Sequence, residues 1–170
     1  TAAAVDDLRV IAPDRPVVFE SNGAVIVNGD GDRLRQVVAN LLENARTHTP
    51  ATSPVEVRVG VAGDDALIEV QDHGPGMSPD EAGRAFERFW RADPSRARTS
   101  GGAGLGLAIV AAITEAHGGR AEVQTEPGAG ATFRIWIPRA GPPADGETVE
   151  TDDPVSHTEF ELLPEVQAEP

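Results

Sequence analysis

Residues 30–47, DGDRLRQVVANLLENART, decide the reading of the fold. Leu34, Val37, Val38, Leu41, Leu42 and Ala45 recur at the three- and four-residue spacing of one buried helical face. The spacing predicts a helix over 30–47, with Asp30 or Asp32 as its cap. A helix with one apolar stripe must bury it against another layer. The flanking sequence supplies that layer as strands. VEVRVGV (55–61) and ALIEVQD (66–72) alternate apolar and polar residues and are joined by Gly63–Asp64–Asp65, which reads as a hairpin. RAEVQTE (120–126) and ATFRIWIP (131–138) read as a second hairpin across Pro127–Gly130. PVVFES (16–21) and AVIV (24–27) are expected as two short strands turning at Asn22–Gly23. Residues 2–10 read as a short helix that stops before Pro13. SPDEAGRAFERFW (78–90) reads as a helix capped by Ser78, with Pro79 in its first turn. GLGLAIVAAITEAHGG (104–119) reads as an apolar helix between glycines, preceded by a mobile loop over 91–103. The order is that of an α+β domain with helices on one sheet face, not a repeating βαβ unit.

Composition narrows the function classes. The chain of 170 residues suits one domain of ordinary size with a tail. It has no cysteine, so disulfides and thiolate metal sites are excluded, and Met77 is its single sulfur residue. No apolar run approaches the roughly 20 residues that span a bilayer, and no signal-peptide pattern opens the chain. The formal charge of −14 is uneven. Residues 1–139 hold all 14 arginines and 19 acids, whereas 140–170 hold nine acids and no base. We therefore expect a folded domain over 1–139 and an acidic, disordered tail over 140–170. FELL (160–163) is the tail's one sticky spot, either a docking motif or incidental. Net acidity argues against a nucleic-acid binder.

Four segments carry residue types suited to chemistry. Asn40 and Asn44 lie one turn apart beside the apolar stripe, and His48 continues the row, while Glu43 points to solvent. An amide oxygen can ligate magnesium without adding charge beside a triphosphate; two amides on a helix flank are equally an ordinary polar border. In QDHGPGM (71–77), Asp72 at a strand end can accept from an exocyclic amine, while Gly74 and Gly76 let backbone approach a flat ring. The same residues also suit a plain Asp-Gly turn. GGAGLGLAIV (101–110) places glycines at a helix start, where free amides and the dipole favour an anion. It lacks the Lys-Ser/Thr ending of a P-loop. FERFWRADPSRAR (86–98) sets Phe86, Phe89 and Trp90 before Arg91, Arg96 and Arg98, a pattern for an arginine-bearing lid or a solvated loop.

Taken in order, LRQVVANLLENARTHTP, DHGPGM, FERFWRAD and GGAGLGLAIV resemble the asparagine, first glycine, phenylalanine and second glycine boxes of bacterial sensor histidine kinases. AHGGRAEVQTEPGAGATFRIWIP resembles the closing segment of their ATP-binding catalytic domain. The resemblance covers about residues 1–138. It implies the Bergerat-type two-layer α/β sandwich of the GHKL superfamily, a mixed sheet with helices packed on one face, shared with gyrase, Hsp90 and MutL. It implies ATP and Mg2+ as cofactors, with Asn44 as the magnesium ligand and Asp72 as the reader of adenine. Gly74 and Gly76 match the glycines under the base, and Gly102, Gly104 and Gly106 the phosphate-side glycines. Met77, His48, Phe89, Ala103, Leu105 and Leu107 are implied as further nucleotide contacts. Asn40 stands where hydrolytic relatives carry a glutamate, which points to phosphoryl transfer rather than hydrolysis. Thr47 departs from the Lys or Arg often found there; Arg46 is turned about 100° away, so Arg91 is expected to carry more of the phosphate charge.

The family transfers phosphate to a histidine in a separate dimerising helical hairpin. None of His48, His73, His117 or His157 lies in a pattern like His-Glu-x-Arg-x-Pro. The chain is therefore expected to be the monomeric catalytic part of a larger homodimeric kinase. Its expected partners are the parent's dimerisation domain and a response regulator, and its place is the cytoplasmic side of a membrane-anchored protein. The alternatives are an anti-sigma-type serine kinase and an ATP-hydrolysing domain of the same fold.

Overall fold

The expected central helix is α2 (Gly31–His48). The Asp30 carboxylate accepts from the N–H groups of Asp32 and Arg33 at 3.0 and 3.1 Å, satisfying two amides that the helix start leaves unpaired. Val37, Val38, Leu41, Leu42 and Ala45 are all buried, as the stripe requires. The computed structural model describes residues 1–91 and 104–140. Its other elements are α1 (Ala2–Ile11), β1 (Val17–Ser21), β2 (Val55–Ala62), β3 (Asp65–Asp72), α3 (Pro79–Arg84), α4 (Gly106–Ala116), β4 (Arg120–Thr125) and β5 (Ala131–Pro138).

The five strands form one mixed sheet in the order β1-β2-β3-β5-β4. β1 runs parallel to β2, and every other pair is antiparallel. The parallel pair needs a crossover, and α2 provides it. Strand alternation sorts the faces. Val55 and Val57 of β2, Val70 of β3, and Phe133, Ile135 and Ile137 of β5 join Val5, Leu8, Val37, Leu41 and Val110 in one core. Phe86 meets Phe133 edge to face, with ring centres 6.4 Å apart. Leu41 is fully buried, so its truncation to alanine should cost about 2–5 kcal/mol.

The opposite face is charged. Arg58 pairs with Glu20, Glu56 and Glu69, and Arg134 with Glu69 at 2.6 Å. Arg120 lies 4.3 Å over the Trp136 ring. These groups are partly exposed, so each pair contributes about 1 kcal/mol or less, and this face stays wet. The two-layer α+β architecture with helices on one face is the one expected.

Three local expectations fail. AVIV (24–27) is not a strand; its one ladder contact is the isolated bridge of Val27 with Arg139. Ile26 is 73% exposed, and the run meets the sheet only at its end, where Val27 bridges Arg139 and the Ile26 carbonyl accepts from the Ala140 N–H at 3.1 Å. The helix expected over 78–90 ends at Arg84. Ser78 and Glu81 form a reciprocal capping box at its start. At its end the chain tightens into a three-residue turn, with Glu87 N–H donating to Arg84 O at 2.9 Å, and Phe89 then takes φ +64°. The last helix, α4, begins at Gly106 rather than Gly104, whose φ of +68° is not helical. The loop expected over 91–103 and the tail over 140–170 fall outside the described residues except for Arg91 and Ala140.

Candidate functional site

The row on α2 comes first. Asn40 and Asn44 are half-buried, one turn apart. The Asn40 Nδ2 is buried without a hydrogen-bond partner, so the helix border carries a donor that nothing among the described residues uses. Such a group costs about 1–3 kcal/mol unless something outside the fold satisfies it. Glu43 points away, as expected, and is taken by a two-bond pair with Arg46 at 2.6 and 2.7 Å and by the Thr47 hydroxyl at 3.2 Å. Arg46 therefore spends its guanidinium on its own helix, and Thr47 offers no cation either.

The strand end comes next. Asp72 closes β3 and is 6% exposed. Its Oδ1 accepts from the Gly74 N–H at 2.9 Å. Burial pushes its pKa up, opposed chiefly by the amides of Gly74 and Ala131. A carboxylate in such a place is poised to gain a donor. The glycines after it are sterically compelled. A Cβ on Gly74 would lie 2.7 Å from Thr49 Cγ2 and 3.3 Å from the His48 carbonyl. A Cβ on Gly76 would lie 1.9 Å from Glu126 O, and its φ is +67°. The floor beside Asp72 is thus bare backbone pressed against the end of α2 and the β4–β5 turn. Met77 is pinned there by its N–H, which donates to Thr125 Oγ1 at 3.0 Å, and its side chain packs on the core.

The third element is the start of α4. Leu105 caps it without a side-chain bond, so its first amides have no side-chain partner at that cap. A Cβ on Gly104 would lie 2.8 Å from Trp90 O and 3.2 Å from Arg91 Cγ. Phe89, 71% exposed, donates its N–H to Gly104 O at 3.0 Å. Leu107 is partly buried against the core. His48 links the pieces: its pKa is pushed down by desolvation first and by Arg91 next, with Asp72 acting the other way. His48, Asp72, Gly74, Gly76, Arg91 and Gly104 are thus linked in one region, and Asn40 and Asn44 stand on the row of α2 that leads to His48. Gly102, Ala103, Arg96 and Arg98 lie outside the described residues.

Residues 29–141 match the family described as histidine kinase-, DNA gyrase B-, and HSP90-like ATPase. The chain belongs to this ATPase family. Its relatives include the sensor histidine kinase MtrB of Mycobacterium tuberculosis, 44% identical over 67% of this chain and 20% of that protein. Another is the probable sensor histidine kinase TcrY of the same species, 40% identical over 81% of this chain and 29% of that protein. The chain thus spans about a fifth to a third of the length of these curated kinases. Among solved structures, the mycobacterial sensor histidine kinase MprB superposes with a TM-score of 0.70 at 30% identity, covering 81% of this chain and 91% of that one. Full-length ShkA in complex with AMPPNP superposes at 0.69 and 29% identity, covering 84% of this chain and 30% of that one. The α+β fold of this ATPase family is therefore that of histidine kinase catalytic domains.

One residue escaped the sequence. Arg15 is 5% exposed and sits behind this site. An arginine before a proline and a strand carries no local sign of burial.

Proposed function

We propose that this chain is the catalytic, ATP-binding portion of a sensor histidine kinase, which binds Mg-ATP and presents the γ-phosphate to a histidine of a separate dimerisation domain. The observation that carries the reading is Asp72: a buried carboxylate at a strand end, beside a floor that admits no side chain at Gly74 or Gly76. Asp72 accepts from the exocyclic amine of adenine, which a guanine, with oxygen at that edge, does not supply. Arg91, Gly104 and the start of α4 face the phosphates, with Leu105, Gly106 and Leu107 continuing that side.

The residues present suit magnesium. Asn44 sets an amide oxygen on the half-buried border of α2, and such a hard oxygen donor suits magnesium, which would keep several waters and take its remaining oxygens from the nucleotide. When bound it would offset charge on the β- and γ-phosphates. The protein's own part is positioning. Asn40 has no carboxylate to activate water, which supports transfer over hydrolysis; in the proposed reaction the acceptor is an imidazole nitrogen. That nitrogen bonds to the γ-phosphorus as the bond to the β–γ bridging oxygen breaks, and ADP leaves. The parent protein's dimerisation domain supplies the histidine, and a response regulator receives the phosphoryl group. No helix among the described residues is long and apolar enough to cross a membrane; anchorage of the parent is part of the proposal.

Calorimetric titration of the 170-residue chain tests this reading. Mg-ATP should bind and Mg-GTP should not, and Asp72→Ala and Asn44→Ala should each abolish binding with the fold intact. Unchanged affinity in both variants refutes the site.

A further inference from the structure

We propose that Arg15 is a positioning residue for base recognition, acting through Thr49 on Gly74 and Asp72; this rests on the reading of Asp72 as the adenine acceptor. The Arg15 guanidinium is buried where α2 ends. Its Nη1 donates to Thr49 Oγ1 at 2.6 Å and to Ser53 O at 3.2 Å. Its Nη2 reaches Pro50 O at 3.0 Å, Thr49 O at 3.4 Å and Arg46 O at 3.5 Å. Among the described residues no carboxylate bonds it. The charge is stabilised instead by a fan of carbonyls at the negative end of the α2 dipole.

This fan fixes the path from α2 into β2, and the path matters because of what leans on it. Thr49, itself buried, donates its hydroxyl to Ala45 O at 2.7 Å while accepting from Arg15. One hydroxyl with both roles filled has one rotamer, which aims the Cγ2 methyl at Gly74. That methyl is the nearest atom to the space a Gly74 Cβ would fill, and Asp72 Oδ1 is next at 3.0 Å. Gly74 in turn holds Asp72 through its N–H. Arg15 thus sets Thr49, Thr49 sets the backbone of Gly74, and Gly74 sets the carboxylate. Burial lowers the Arg15 pKa, with Arg46 adding to the effect and Asp72 opposing it.

The test compares ATP with inosine triphosphate, which carries oxygen in place of the 6-amine. Affinities of both, with magnesium, are measured on the 170-residue chain and on Arg15→Gln, Arg15→Lys and Thr49→Val. Each is held well below its melting temperature. The native chain should prefer ATP by about tenfold or more, the worth of one hydrogen bond to a charged group. Arg15→Gln and Thr49→Val should shrink that preference at least about threefold, with ATP affinity falling and inosine triphosphate affinity held. Arg15→Lys keeps charge but not the fork, and should fall between. Lower melting temperatures with an unchanged preference in the variants overturn the proposal and leave Arg15 as plain structure. If Arg15→Gln does not fold, Thr49→Val decides alone. No preference in the native chain refutes instead the reading of Asp72.

Discussion

The imidazole Nε2 of His117 accepts a hydrogen bond from the backbone N–H of Asp30 at 3.1 Å, while its Nδ1 bonds Ile113 O at 2.7 Å. One ring thereby joins the end of α4 to the cap of α2, the two helices that carry opposite sides of the site. Gly29 makes room for it, since a Cβ there would stand 2.3 Å from His117 Cδ2. We expect His117→Ala to cost about 1 kcal/mol, or about 4 °C in melting temperature. Gly29→Ala should cost more in the native background than beside His117→Ala. Thermal melts of the four proteins measure that coupling, and additive losses would show that ring and glycine do not meet.

Gly76 is the least replaceable residue of the floor. Its positive φ and the 1.9 Å approach to Glu126 O make Gly76→Ala destabilising by more than about 3 kcal/mol. Gly83, with nothing within 4 Å of its Cβ position, should accept alanine with little loss or a small gain. Denaturant midpoints of the pair check the contrast.

The capping box gives a prediction about acid. Hydrogen bonds from Ser78 hold the Glu81 carboxyl below its ordinary range. A depressed carboxylate contributes stability above its unfolded pKa and loses it as pH falls through the folded one. The backbone N–H of Ser78 is the larger cause and its hydroxyl the smaller. Glu81→Gln should therefore destabilise at neutral pH and by less below pH of about 4, with Ser78→Ala removing only part of that pH dependence. Chemical melts at both values decide it.

His48 runs with the opposite charge. Its folded pKa is pushed below the unfolded value, so the unfolded chain binds more protons between the two. Stability from this group is full above pH of about 6.5 and declines as pH falls through and below that value. His48→Gln should flatten that part of the stability profile. An unaltered slope between neutral and mildly acid pH would show that His48 is not held neutral.

Self-phosphorylation should be absent. None of the four histidines lies in a phosphoacceptor pattern. The chain incubated with γ-labelled ATP should stay unlabelled, and addition of a dimerisation domain bearing the acceptor should restore acid-labile label. Label on the chain alone, lost when one histidine is replaced, would refute this.

Where local sequence specified local structure, it could be read. The stripe Leu34 to Ala45 and the alternations of both hairpins each bury one face, and burial of a face has a period. The failures are just as physical. AVIV looks like a strand because strand character is apolar and short; nothing within four residues shows that no neighbouring strand awaits it. RAFERFW looks helical by composition, but α3 ends at Arg84, Phe86 packs edge-on to Phe133 far along the chain, and Phe89 takes a left-handed φ.

The candidate site divides in the same way. The residue types and their order, Asn40 and Asn44, then Asp72, Gly74 and Gly76, then Gly104 and Gly106, belong to the sequence alone, because chemistry selects residue types and the chain order is covalent. That Gly74 presses on Thr49, that Arg46 is spent on Glu43, that Arg15 lies buried under the end of α2, and that Phe89 takes a left-handed φ were decided by the tertiary structure. Those facts are set by distances between residues far apart in the chain, and a cation's burial depends on which carbonyls the rest of the fold brings to meet it.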